Sequence, residues 1–176
     1  MASGLATAPA ASSAPPRTFA RMMAPFALVT APVLALDQWS KLYVREHFHL
    51  YQSRPLVAGW LDLTYTLNPG AAFSLFATMS PGFRSVFFIA LSLTATVVLG
   101  ALMLRRATTT SYAVAFGLIL GGTIGNLVDR VSRGLVTDFI YFHHASFNYP
   151  VFNVADSAIT AGVGLILILS WLEPAA

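Results

Sequence analysis

The chain has 176 residues, 56% of them hydrophobic and only 10% charged, with a mean hydropathy of +0.69. Soluble domains carry about a quarter charged residues, so the composition excludes an ordinary water-soluble fold and points to one domain of helices packed in lipid. Ten basic residues against seven acidic set a pI near 9.6, but no basic block exceeds Arg105–Arg106 and there is no cysteine; this excludes a nucleic-acid surface, disulfides, thiolate metal sites and a cysteine nucleophile.

Residues 1–16, all Ala, Ser, Pro and other uncharged types, cannot bury a core and are expected to form a disordered tail ahead of a single membrane domain over 17–176. Arg17 and Arg21 flank an apolar run from Met22 to Leu36 that continues as a helix through Val44. A basic region before an apolar one also fits a cleaved signal peptide, but the run continues past the point where a small-residue cleavage site belongs. Residues 45–80 are more polar. Within them "LDLTYTL" (61–67) alternates as a strand does and is stopped by the "NPG" turn at Asn68–Gly70. A second span covers Gly82–Leu104, long enough at 1.5 Å per residue for ~30 Å of hydrocarbon. A third runs from Tyr112 to Val128 with several glycines for close packing. Residues 131–152 read as an aromatic, His-containing loop, and Val154–Leu172 as the fourth span. The expected architecture is thus an all-α membrane fold of four transmembrane helices with a small extramembrane β-sheet and one substantial loop. Four spans put both termini on one side, although the Lys and Arg count does not decide which.

The informative residues are polar ones at the span ends. Asp37 and Lys41 are four apart, Asn126 and Arg130 four apart, and Asn153 and Asp156 three apart, with Asp129 and Asp138 between the last two spans. Each pair shares a helix face, and polar faces in a bundle turn inward, so three helices aim such faces at one depth. Any one pair alone reads as structural glue, with Asn153 an N-cap and Asp37–Lys41 an intrahelical ion pair. The full set points to a site. His47 and His49 are not in a HExxH pattern, His143 and His144 sit in an aromatic run, and no GxSxG occurs, so neither a metal centre nor a serine elbow is expected. Carboxylates remain, and two held close share a proton, one acting as base toward water.

The segments "DQWSK" (37–41), "NPGAAFS" (68–74), "GGTIGNLVDR" (121–130), "VTDFI" (136–140) and "FNVADSAI" (152–159), in this order, resemble the bacterial lipoprotein signal peptidases, or signal peptidase II. The resemblance implies four transmembrane helices with cytoplasmic termini in the inner membrane, a periplasmic loop, and an active site near the periplasmic face. It implies an aspartic endopeptidase that removes signal peptides from prolipoproteins, cutting before the diacylglyceryl-modified cysteine, with no cofactor. The catalytic aspartates would be Asp138 and Asp156. Asp37, Lys41, Asn68, Asn126, Arg130 and Asn153 would surround the pair, and Asp129 would give structural support. Its partners would be prolipoprotein substrates and membrane lipids, with no nucleic acid, and the protein is expected to be a monomer. The sheet would cradle substrate and the loop from Arg133 to Pro150 would cover the site. Tyr141 stands where an acid is common in relatives. The rival reading is a small proton-coupled transporter that uses the same acids as a relay, but the two halves show no inverted repeat.

Overall fold

A computed structural model gives the fold and describes residues 19–70, 80–106 and 110–172. The expected tail over 1–16 and Ala71–Ser74 of the second quoted segment, "NPGAAFS", lie outside the described residues. In chain order the elements are α1 (Phe19–His47), β1 (Ser53–Val57), β2 (Leu61–Asn68), α2 (Pro81–Arg106), α3 (Thr110–Arg133), β3 (Val136–His144), β4 (Phe147–Asn148) and α4 (Val154–Leu172).

Three described helices are long and apolar enough to cross a membrane: Gly82–Ala101 in α2, Thr110–Arg133, and Val154–Leu172. The outer helices present Val86, Val97, Leu167 and Trp171 outward, as helices facing lipid do. α3 is central and packs against α1, α2 and α4. Its glycines explain how. Gly117, Gly121 and Gly125 recur every fourth residue and meet Val29, Val33 and Asp37 of α1, which recur at the same interval. A Cβ on Gly121 would stand 2.8 Å from Val33 Cγ1, and one on Gly125 2.5 Å from Asp37 Oδ2. Small residues at this spacing let helix backbones approach where lipid supplies no hydrophobic drive. Gly122 faces the other way, onto Ala155 and Ile159 of α4.

The sheet is antiparallel in the order β1-β2-β3-β4. β2 forms where the alternating segment predicts a strand, and its register sets Thr66 opposite Asp138 and Asn68 opposite Val136. The expected loop over 131–152 is corrected: α3 continues to Arg133, and β3 and β4 fill most of the rest. Residues 136–139 of β3 are buried on both faces, so the strand carries no polar–apolar alternation to read. α3 stops at Gly134, whose φ of 76° lets its N–H reach back to the Arg130 carbonyl (2.9 Å) and turn the chain into β3. Phe152 then pairs with Ile140 through N–H···O bonds of 3.0 and 2.8 Å, which ties the entry of α4 to the sheet.

Candidate active site

The start of α4 shows why an acid sits one turn inside an apolar helix. Asn153 is the N-cap: its Oδ1 accepts the Asp156 N–H (2.9 Å), and Asp156 Oδ2 accepts the Asn153 N–H (3.2 Å). This is a reciprocal capping box, with Asp156 at the third helical position and its charge at the positive end of the helix dipole. Asp37 of α1 caps the same end from outside, as its Oδ1 accepts the Ala155 N–H (2.9 Å). Helix ends leave such donors unpaired, so this bond fixes where α4 begins relative to α1.

The β2–β3 pairing delivers Asp138 to the same place. Asn68 Nδ2 donates to Asp138 Oδ2 (2.9 Å) and Asn153 Nδ2 donates to Asp138 Oδ1 (2.7 Å). Asn126 Nδ2 donates to Asp156 Oδ1 (2.8 Å). Asn153 is therefore both cap and bridge, since it also donates to Asn126 Oδ1 (3.1 Å). Burial pushes the Asp138 carboxyl up to about 7, with the charge of Asp156 as second cause, against the lowering effect of the two asparagine donors.

Asp138 and Asp156 line one open cleft of about 430 Å³ together with Asn68, Asn126 and Arg130. Phe88, Val136, Val151 and Ile159 give it an apolar wall. Arg130 donates to the Gly70 carbonyl (3.3 Å) and the Asn126 carbonyl (3.4 Å), and its guanidinium lies 5.2 Å over the Phe88 ring. The cleft thus offers two carboxylates to a water, amide and guanidinium donors to a peptide backbone, and an apolar wall toward the bilayer.

Asp37 and Lys41 do not line the cleft. They are fully buried behind it as an ion pair of 2.9 Å, and Lys41 Nζ also donates to Asn126 Oδ1 (2.9 Å) and lies 3.5 Å from Asp129. Asp129 accepts the Thr137 N–H (2.9 Å) and pairs with Arg45 (3.4 Å), so it bolts the first residues of β3 to α3. Arg45 and Thr137, themselves joined at 3.2 Å, escape a reading by residue type. The spacing held the signal: Asp37, Lys41 and Arg45 recur every fourth residue on one face of α1. The histidines stand elsewhere. His47 stacks on Tyr43, His144 on Trp60, and His143 lies 3.3 Å from Asp62. Tyr141 donates to Asn148 Oδ1 (2.7 Å), which ties β3 to β4.

Long apolar helices around a polar cleft define a membrane-embedded enzyme, and two solved structures of a bacterial membrane enzyme obtained by the in meso method share the fold. One has a TM-score of 0.77 at 28% identity, covering 86% of this chain and 96% of that one. The other has a TM-score of 0.76 at 26% identity, covering 88% and 96%. The chain belongs to the signal peptidase II family, whose model, described as Signal peptidase (SPase) II, matches residues 29–172. It is similar to the lipoprotein signal peptidase of Photorhabdus laumondii, with 44% identity over 143 residues, 81% of this chain and 84% of that protein. With that of Syntrophus aciditrophicus the identity is 38% over 149 residues, 84% and 92% of the two chains. The transporter reading finds no support in these relatives.

Proposed function

We propose that this chain removes the signal peptide from prolipoproteins by cutting before a diacylglyceryl-modified cysteine, with Asp138 and Asp156 as the acid–base pair. The observation that carries the assignment is the meeting of these carboxylates, one from the sheet and one from a membrane helix, at a single cleft with Asp138 held near neutrality. One carboxylate takes a proton from water as it attacks the scissile carbonyl while the other donates its proton to the carbonyl oxygen; as the tetrahedral diol collapses, the first passes the proton it took to the leaving amine and the second recovers the proton of the diol hydroxyl. The cleft-facing amide of Asn126 and the Arg130 guanidinium are suited to hold the substrate backbone or the developing oxyanion. A substrate whose two acyl chains are anchored at ~0.8 kcal/mol per CH₂ reaches the site only if the cut is made at the bilayer edge. No cofactor enters the proposed reaction, and the protein is expected to act as a monomer.

The test is cleavage of a purified diacylglyceryl precursor by the purified protein in lipid. We expect the lipidated precursor to be cut and its unlipidated form to be spared, with turnover unchanged by strong chelators. Loss of activity on chelation, restored by one divalent ion, would overturn the carboxylate mechanism.

In the same reading α1 is a fourth span. Its 29 residues reach ~44 Å at 1.5 Å each, and it exposes Leu28, Leu36 and Trp39. Both termini are then cytoplasmic and the sheet periplasmic, in the inner membrane. Reporter fusions after Arg106 and at the C-terminus are expected to report the cytoplasm, and fusions at Gln52 and Ala145 the periplasm. A periplasmic C-terminus would sink the four-span topology.

A further inference from the structure

We infer that the buried Asp37–Lys41 pair of α1 is a positioning unit that aims the Asp156 carboxylate, reaching it by two routes, one through the backbone of α4 and one through the Asn126 amide. The inference rests on the proposed role of Asp156. Neither residue lines the cleft, so neither touches substrate.

The backbone route is the bond from Ala155 N–H to Asp37 Oδ1 (2.9 Å). Ala155 is the residue before Asp156, so the carboxylate of Asp37 sets the height and rotation of the turn that carries the acid. The side-chain route starts at Lys41. An ammonium has three N–H donors and no acceptor. Three oxygens surround Lys41 Nζ: Asp37 Oδ2 at 2.9 Å, Asn126 Oδ1 at 2.9 Å and Asp129 Oδ2 at 3.5 Å. With Lys41 donating to it, Asn126 must present its oxygen inward and its NH₂ toward Asp156, where Nδ2 stands 2.8 Å from Oδ1. An Asn126 turned the other way would set an amide oxygen against a carboxylate and drive the acid off its aim. Asn153 Nδ2 supports the same orientation at 3.1 Å.

The ion pair joins the two routes. Asp37 spends one oxygen on α4 and the other on Lys41 and Gln38 Nε2 (3.0 Å), and Gln38 also holds the Gly125 carbonyl (3.0 Å), one residue before Asn126. Gly125 lacks a Cβ because Asp37 Oδ2 would stand 2.5 Å from it. A pair serving only to cancel charge would need none of these bonds to the turn and amide that flank Asp156.

The test separates aim from bulk stability. Lys41→Met alone leaves Asp37 uncompensated in the interior and is expected to unfold easily, so it decides nothing by itself. The double variant Asp37→Asn/Lys41→Met removes both charges, leaves Arg45 and Asp129 paired, and is expected to insert and melt close to the parent, since a buried pair replaced as a pair is nearly neutral. Its kcat is expected to fall about 10- to 100-fold with KM within about twofold, the signature of a misplaced reacting group. Added to Asn126→Ala, the paired Asp37→Asn/Lys41→Met change is expected to cost less kcat than it costs in the parent, because Lys41 then has no amide to orient. Near-parental kcat in the double variant, or full additivity with Asn126→Ala, would overturn the inference and leave the pair a structural one. Asp156→Asn in the same assay keeps the two readings apart: if it retains turnover, the acid pair is wrong, whatever the α1 variants do.

Discussion

Replacing Asp138 or Asp156 with asparagine is expected to lower turnover by about 10³-fold or more, toward the upper end of what a positioned proton donor or acceptor contributes. Each variant should still insert and bind precursor. The isostere is not silent structurally. Both oxygens of Asp138 accept N–H donors, from Asn68 and Asn153, and both oxygens of Asp156 accept from Asn126 and the Asn153 backbone. An introduced NH₂ therefore faces a donor, at a cost of about 1–3 kcal/mol. Asp129→Asn should be milder in rate, since Asp129 holds Thr137, Arg45 and Lys41 and does not line the cleft. Removing both acids should cost little more than removing one. In the parent enzyme, turnover is expected to fall as pH rises through about 7, where Asp138 gives up the proton that burial and the charge of Asp156 help it keep. The same shift bears on stability. The folded chain binds this proton more tightly than the unfolded chain, so its contribution is complete below the ordinary value of 3.8 and is lost as pH rises through about 7. Near-normal turnover in either asparagine variant would refute the pair.

Gly122→Ala is the second change expected to be severe. Its methyl group would run into the Ala155 carbonyl oxygen and come within 2.8 Å of Ile159 Cγ1. Backbone cannot step aside as a flexible side chain can, so α4 must shift, at about 1–3 kcal/mol for overpacking. The shift lands one residue from Asp156, and a displacement of ~1 Å at a reacting group costs about 10²-fold in rate. Gly100→Ala and Gly164→Ala, where an added Cβ meets nothing within 4 Å, should leave both melting temperature and rate unchanged. A Gly122→Ala protein with parental rate and stability would show that α3 and α4 can separate without consequence.

The lipid-facing helices were the most legible elements. α4 begins and ends where its composition changes, at Val154 and Leu172, and α2 exceeds its expected span by one residue at the start and two at the end. Such helices are apolar on every side, so composition alone marks them. β3 was not legible because its first half, residues 136–139, is buried on both faces. The polar set at the span ends could be gathered from i, i+4 spacing, since helical geometry fixes which residues share a face. The juxtaposition of Asp138 with Asp156 could not be gathered that way. It depends on β2 pairing with β3 across about 70 residues of chain, and no local pattern encodes a non-local partner. Arg45 carried the right spacing but, as a long cation at a helix end, it reads first as an interfacial anchor.

The bonds that hold the acids join segments far apart in the chain. Asp138 leans on Asn68, 70 residues earlier, and the turn bearing Asp156 leans on Asp37, 118 residues earlier. During synthesis Asp138 can meet Asn68 once β3 has paired with β2, but its second donor, Asn153, and the contacts of Asp156 wait until α4 has docked on α3. With Asp138 and Asp156 as the proposed acid–base pair, a chain whose α4 has not docked is expected to be catalytically silent. On the proposed mechanism, a first cut of substrate therefore reports that α4 has docked.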